Sequence, residues 1–321
     1  MSDLVSILIP TYNRVRVIER TVRSALAQTY SNIEVVVVDN ASTDGTWERL
    51  QQFASNDARV RISRNETNLG PVANWLACAA AAQGRYAKIL WSDDMIAPTF
   101  VERCLPFLRD EGVAFVYSAA LVFSGETPEE GGIEMYRAYG PGDVVIGSRE
   151  FIEGVMTDGD YPVSPGCALF RTEDLRRNLW LQVPNRHGSD FSVHAIGNDL
   201  LIFLLTAGQR KSVAVIGEIL SFFRSHDQSI SVIAGMGRVI YHYDLAKAYF
   251  CAEVLKDRRV ERRLNARIFL HLRRFGLAPY GITRVEDFYP QPRFAGLDWP
   301  HFIKAVVAGM SRKLLRAVKS T

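Results

Sequence analysis

The chain has 321 residues, of which 48% are hydrophobic and 23% charged, and its 38 basic and 35 acidic side chains leave a net charge of +3. That length supports one large domain or two small ones with ample core, and the composition excludes a collagenous, fibrous or mainly disordered chain. A balance so close to neutrality argues against nucleic-acid binding by the chain as a whole.

The four cysteines, Cys78, Cys104, Cys167 and Cys251, are scattered with no C-x-x-C pair. This speaks against a zinc ribbon or thioredoxin-like site and fits reduced, buried thiols. No apolar run approaches the ~18–20 residues of a membrane span, and Met1–Pro10 lacks the basic start of a secretory signal. The expectation is a cytoplasmic protein, with peripheral attachment at the inner face of the membrane left open.

Val5–Ile9 is a short β-branched run stopped by Pro10. Val15 to about Ala27 has apolar residues at helical spacing. Ile33–Val38 is apolar apart from Glu34, as in a strand buried on both faces of a parallel sheet. Asn40–Gly45 is a turn, with Thr43 as the expected cap of a helix carrying Trp47 and Leu50. Val60–Ile62 reads as a strand, Val72–Ala82 as a helix ended by Gly84, Tyr86–Leu90 as a strand running into Trp91-Ser92-Asp93-Asp94. A helix follows from Pro98 to about Leu108, then a strand over Val113–Phe123. This alternation predicts a doubly wound, mainly parallel α/β sheet with helices on both faces. Ligands of such sheets bind beyond the carboxyl ends of the strands, where Pro10–Asn13, Asp39–Asp44 and Ser92–Asp94 should converge.

Ser124–Asp143 has five glycines and two prolines and reads as a long loop or flap. A helix is expected over Ser148–Met156, a strand over Gly166–Phe170, a buried helix over Asp199–Ala207, and strands over Val213–Ile216 and Leu220–Phe223. After Ile233 the chain turns helical and basic. Its last predicted helix, about His301 to Val318, sets Ile303, Val307, Met310, Leu314 and Val318 on one stripe, with basic residues mostly on the other side. That pattern suits packing on the protein, an anionic membrane surface or a docking partner.

Asp93-Asp94 directly after a strand is costly unless something neutralises it. Mg²⁺ or Mn²⁺ does so, and such sites often combine one or two carboxylates with phosphate oxygens. Asp39 at a strand end suits hydrogen bonding to a base or ribose, or simply a turn and helix cap. No G-x-G-x-x-G or G-x-x-x-x-G-K-[ST] is present, so neither a Rossmann fingerprint nor a P-loop explains nucleotide binding.

Pro10-Thr11-Tyr12-Asn13-Arg14, then Asp39, then Asn68-Leu69-Gly70 and Asn74, then Leu90-Trp91-Ser92-Asp93-Asp94 with Pro98, resemble in order and spacing the family 2 glycosyltransferases, inverting enzymes of the GT-A fold. The resemblance is dense over about the first 110 residues and thinner to about Ser231. It implies a GT-A domain over 1–235, with a donor half to about 115 and an acceptor half from about 116, and a basic helical extension over 236–321. It also implies that Pro10, Thr11, Tyr12, Asp39, Asn68, Gly70 and Asp93 bind a nucleotide sugar, UDP- or dTDP-linked. Asp94, Asp93 and His226 are the implied ligands of Mn²⁺ or Mg²⁺. Trp91 stands where many relatives have an acid.

An inverting transferase needs a general base to take the proton of the attacking hydroxyl. Asn198-Asp199-Leu200-Leu201 resembles the family's Glu-Asp motif, which makes Asp199 the implied base. Asp190 is the competing candidate. Arg224-Ser225-His226 with Ser229 resembles an Arg-x-His-x-x-Ser element, and Pro165–Arg171 the floor of the donor-sugar site, with Cys167 a packed thiol. The implied reaction moves a sugar from a nucleoside diphosphate to a glycan or lipid-linked acceptor, in cell-surface polysaccharide synthesis. The tail would position the acceptor, the membrane or a second copy in a homodimer. Two alternatives are weighed against this. Nucleotidyl transfer is disfavoured because the first loop has no glycine; a degenerate sugar-nucleotide or glycan-binding module is kept open by Trp91 and Asn198.

Overall fold

The computed structural model describes residues 3–307, apart from the side chain of Ser231. Residues 299–307 are helical, and the rest of the helix predicted for His301–Val318 lies outside the described residues.

The first 89 residues alternate β1 (Val5–Thr11), α1 (Ile18–Leu26), β2 (Ile33–Asp39), α2 (Thr46–Asn56), β3 (Val60–Arg64), α3 (Pro71–Ala81) and β4 (Tyr86–Ile89). β1 pairs in parallel with β2 and β4, and β2 with β3. Every residue of β2 is buried because both sheet faces are covered: Val35 and Val37 pack with Ile7 and Ile9 in one core, Val36 and Val38 with Leu8 in the other. Glu34, the break in that apolar run, accepts hydrogen bonds from the Ser6 hydroxyl (2.5 Å), the Gln83 N–H (2.6 Å) and Arg61 (2.5 Å). Burial pushes its carboxyl up, but these donors outweigh it and hold it low.

α1 starts three residues later than Val15, since the Arg14 and Val15 N–H groups are taken by the Thr46 hydroxyl (2.8 Å) and Asp44 (3.1 Å). Thr43 does not cap α2. The Thr46 N–H instead donates to Asp44 at 3.0 Å, across a left-handed Gly45.

Beyond β4 come β5 (Met95–Ile96), α4 (Phe100–Leu108), β6 (Val113–Phe123), β7 (Ile133–Met135), β8 (Val144–Gly147), α5 (Ser148–Met156), β9 (Ala168–Arg171), α6 (Thr172–Asn178), α7 (Phe191–His194), α8 (Asn198–Gly208) and β10 (Ser212–Arg224). The ten-stranded sheet runs β3-β2-β1-β4-β9-β6-β10-β5, with β7 on β6 and β8 on β10. β9 is antiparallel to both neighbours, β4 and β6, so the sheet is parallel over β1–β4 and mixed beyond them. The two strands predicted at Val213–Ile216 and Leu220–Phe223 are one strand, β10, which bulges past Gly217. β5 was not expected. It pairs with Ser221 and Phe222 and brings Asp93-Asp94 beside the end of β10.

The segment 124–143 is not structureless. It carries a short 3-10 turn at Pro128–Glu130 and β7, and Tyr136 is buried, with its N–H and that of Arg137 held by Asp160 at 2.7 Å each.

α9 (Ile230–Tyr249) passes through the boundary expected at 235, bending at Gly235 where φ is +70°, and leads through a π-turn (Phe250–Leu255) to α10 (Arg258–Phe275). Leu245, Phe250, Leu264 and Ile268 share one core with Leu200–Leu205 of α8. Asp158 ties these helices together, accepting Lys247 (2.5 Å), Arg267 (2.6 Å) and His271 (3.0 Å), while His271 also meets Asp244 at 2.7 Å. Burial pulls the His271 imidazolium down, but Asp244 and Asp158 outweigh it and hold it up at about 9. A raised histidine stabilises fully below its unfolded value, ~6.5, and the gain is lost as pH rises through the folded value. The melting temperature of the wild type should therefore fall between about pH 6.5 and 9, and His271→Asn should flatten that fall.

Candidate active site

The loops after β1, β2, β3 and β4 and the start of α3 meet the start of α8, the end of β10 and α9 as far as Tyr243 around a cavity of about 570 Å³. Of the residues predicted to form a site, Pro10, Thr11, Tyr12, Asn68, Asp93, Asp94 and Asp199 line it. Asp39, Gly70 and His226 do not, and each stands just behind a residue that does.

The loops after β2 and β3 are knitted by side-chain amides. Asn40 donates to Asn68 (2.8 Å) and to the Gly70 carbonyl (3.2 Å), and accepts the Leu69 N–H (2.9 Å). Asn74 of α3 reaches back to the Val38 carbonyl at 3.0 Å and accepts from Asn65 at 3.0 Å. Gly70 is required where it stands: its φ is +83°, and a Cβ would lie 3.3 Å from the Ser192 carbonyl. Asp39 is fully buried, with one oxygen on Arg64 (3.1 Å) and the Ser42 N–H (3.1 Å). Its other oxygen, and the Thr11 hydroxyl, are buried with no partner among the described residues. Buried polar atoms left open in this way suit a ligand's donors and acceptors.

Asp94 is buried and accepts the Arg224 N–H at 2.8 Å. Burial, and then the neighbouring Asp93, hold its carboxyl well above the usual range. Asp93 turns the other way, to His226 at 2.8 Å. Of the expected set, Asp93 and His226 are thus in contact with each other, and Asp94 is held by the end of β10. Among the described residues no cluster of three or more His, Cys, Asp or Glu side chains stands ready to hold a metal. The two aspartates nonetheless fit a hard cation completed by phosphate oxygens, and the charge repulsion between them is what such a cation relieves.

Lys88, the one charged residue of β4, is buried beneath this pair. It donates to the Ile89 carbonyl (3.1 Å) and the Gly166 carbonyl, lies 4.6 Å from the Phe100 ring centroid, and burial pulls it down to about 8. A lysine inside an otherwise apolar strand was the signal the sequence reading passed over. Trp91 packs at a tilt of 42° against Trp75, ring centroids 4.6 Å apart, and donates to Ser164 at 2.9 Å, walling the cavity. Gly166 leaves room for it, since a Cβ there would lie 2.9 Å from the Trp91 Nε1. Cys167 is buried and burial pushes its thiol up to about 12, so it packs rather than reacts.

Asp199 sits in the first turn of α8. One carboxylate oxygen accepts the Gly197 and Leu200 N–H groups at 2.7 and 2.9 Å, the other the Tyr243 hydroxyl of α9 at 3.0 Å. Burial outweighs these bonds and pushes the carboxyl up to about 7. Tyr243 had no sequence signal, because it belongs to a helix expected to lie outside the domain. Asp190 lines no part of the cavity and caps α7 through the Ser192 N–H (3.0 Å). The Ser192 and Gln182 hydrogen bonds hold its carboxyl low. Asn198 faces away, donating to the Trp180 and Leu181 carbonyls at 2.8 and 3.2 Å, where a carboxylate would meet two oxygens. Its amide is thus a fitted part of the α8 start.

The sequence profile described as Glycosyl transferase family 2 matches residues 6–179. Among curated relatives, the chain is 38% identical over 116 residues to the Escherichia coli UDP-Glc:alpha-D-GlcNAc-diphosphoundecaprenol beta-1,3-glucosyltransferase WfaP, a match covering 36% of this chain and 45% of that one. The structure resembles S. aureus TarS in complex with UDP-GlcNAc, with a TM-score of 0.66 at 18% identity over 88% of this chain and 80% of the other. It also resembles the mannosyltransferase PcManGT from Pyrobaculum calidifontis in complex with GDP-Man and Mn2+, with a TM-score of 0.53 at 18% identity over 86% and 72%. These likenesses show a GT-A type fold with a helical C-terminal region.

Proposed function

The chain belongs to glycosyl transferase family 2, and from that premise we propose that it is an inverting glycosyltransferase of cell-surface polysaccharide synthesis. Its donor is a nucleoside diphosphate sugar, UDP- or dTDP-linked, and its acceptor a hydroxyl of a glycan or lipid-linked glycan. The observation that carries the reading is the placement of Asp199 on the wall of the same cavity as Asp93 and Asp94, with its carboxyl raised to about 7.

In this reading the base packs near Pro10–Tyr12 and Asn68, and the open oxygen of Asp39 takes its edge or the ribose. Asp93 and Asp94 would hold Mn²⁺ or Mg²⁺, with His226 steadying Asp93. A cation there neutralises charge building on the leaving diphosphate. The acceptor oxygen forms its bond to the anomeric carbon as the bond to the diphosphate breaks, and its proton passes to Asp199. Gly197 and Leu200 fix one Asp199 oxygen and Tyr243 orients the other, so that a lone pair remains for the acceptor hydroxyl. Among the described residues no helix is long and apolar enough to cross a membrane.

A general base works only when ionised, and it is most effective with a pKa near the operating pH. The kcat/KM for acceptor should thus be level above about pH 7 and fall about tenfold per unit below it. Asp199→Glu should shift that break. A profile level down to pH 5 would remove Asp199 as the base.

A further inference from the structure

Arg20 of α1 and Arg224 at the end of β10 converge on Glu126, and of the three only Arg224 lines the cavity. Their side chains are 22% and 15% exposed, and the Nε of each is buried with no partner among the described residues. Glu126 lies between them. One of its carboxylate oxygens accepts from Arg224 Nη2 at 2.9 Å, the other is 3.6 Å from Arg20 Nη1, and its backbone carbonyl accepts from Arg20 Nη1 at 2.9 Å. The Glu126 side chain itself is 80% exposed.

Glu126 is presented by a built turn. Glu130 accepts the Glu126 and Thr127 N–H groups at 3.0 Å each, and Thr127 and Glu130 form a reciprocal cap. Two partly desolvated guanidiniums side by side need a counter-charge. Asp93, hydrogen-bonded to His226, adds negative charge near Arg20, but Glu126 is the carboxylate that pairs with both guanidiniums. An exposed carboxylate is a weak counter-ion, because solvent competes for it. A phosphate offers more acceptor oxygens and matches the guanidinium fork bidentately. Arg224 already lines the cavity, and its N–H touches Asp94.

We propose that Arg20 and Arg224 form a phosphate seat whose resident counter-ion is Glu126, and that phosphate oxygens entering the cavity displace Glu126 and release the turn at 125–130. The proposal rests on the reading of the cavity as a sugar-nucleotide site. The phosphate is either the donor's diphosphate or a phosphate carried by the acceptor.

Hydrogen exchange of the 125–130 amides tests this on the full chain, wild type and Glu126→Gln. The additions are UDP with Mn²⁺, then inorganic phosphate on top of saturating UDP. The thermal shift by UDP is read in the same samples, so that failure of the cavity to bind nucleotide is seen separately. Faster wild-type exchange with UDP alone assigns the seat to the donor diphosphate, and faster exchange only after phosphate is added assigns it to the acceptor. Glu126→Gln should exchange fast from the start and bind the displacing anion about two- to five-fold tighter. Arg20→Gln should weaken it about three- to ten-fold. If wild type binds UDP yet its 125–130 exchange is unchanged by either addition, and Glu126→Gln alters no affinity, the seat does not exist.

Discussion

Asp199→Asn should lower kcat by about 10²–10⁴-fold, the range general acid–base catalysis contributes, while leaving donor affinity within twofold of wild type. The substitution keeps the oxygen that accepts the Gly197 and Leu200 N–H groups, so the start of α8 is preserved. It also removes a buried carboxylate whose ionisation burial opposes, so the melting temperature should hold or rise. Loss of turnover in a protein that still binds donor and is no less stable leaves proton abstraction as the missing step. Asp190→Asn is the matched control. It keeps an acceptor for the α7 cap outside the cavity, since Asn caps a helix about as well as Asp, and should leave both stability and kcat close to wild type. Equal loss of kcat in both variants would return the base assignment to Asp190.

Asp94→Asn should lower kcat/KM by about 10²–10³-fold or more, as for removal of one group that stabilises transition-state charge. Asn still accepts the Arg224 N–H that now ends on Asp94, so β5 and β10 stay joined. With the Asp94 carboxylate gone, the burial and the Asp93 repulsion that oppose its ionisation no longer act, and the metal-free protein should be as stable as wild type. The defect should appear as a higher Mn²⁺ requirement, partly recovered at high metal, measured by titrating activity against metal. A variant with unchanged metal dependence would place the cation elsewhere.

The β1–β4 region was legible because β1, β2 and β4 are buried on both faces and so read as largely apolar runs, and because Asp39 and Asp93-Asp94 stand at or just after strand ends. What escaped was long-range. β5 exists only because Met95–Ile96 finds the edge of β10, and β9 is antiparallel because it slots between β4 and β6, which no local period encodes. The extension expected after 235 shares its core with α8 and supplies Tyr243 to Asp199. The sequence had marked Asp199 by resemblance, but its hydroxyl partner lies 44 positions on. The meeting of Arg20 with Glu126 spans 106 positions, and neither residue carries a motif. His226, which the resemblance makes a metal ligand, hydrogen-bonds Asp93 from 133 positions away.

The most direct test of the central claim, that the cavity between Pro10–Tyr12, Asp93-Asp94 and Asp199 receives a nucleoside diphosphate with a divalent cation, is a thermal-shift series. Wild type and Asp94→Ala are melted with UDP, dTDP, GDP and CDP, each with and without Mn²⁺ or Mg²⁺. A ligand bound only by the native state at about 100 times its Kd stabilises by about 2.7 kcal/mol. The account predicts a rise for UDP or dTDP that requires the metal and vanishes in Asp94→Ala. No rise with any nucleotide, or an equal rise in Asp94→Ala, would contradict it.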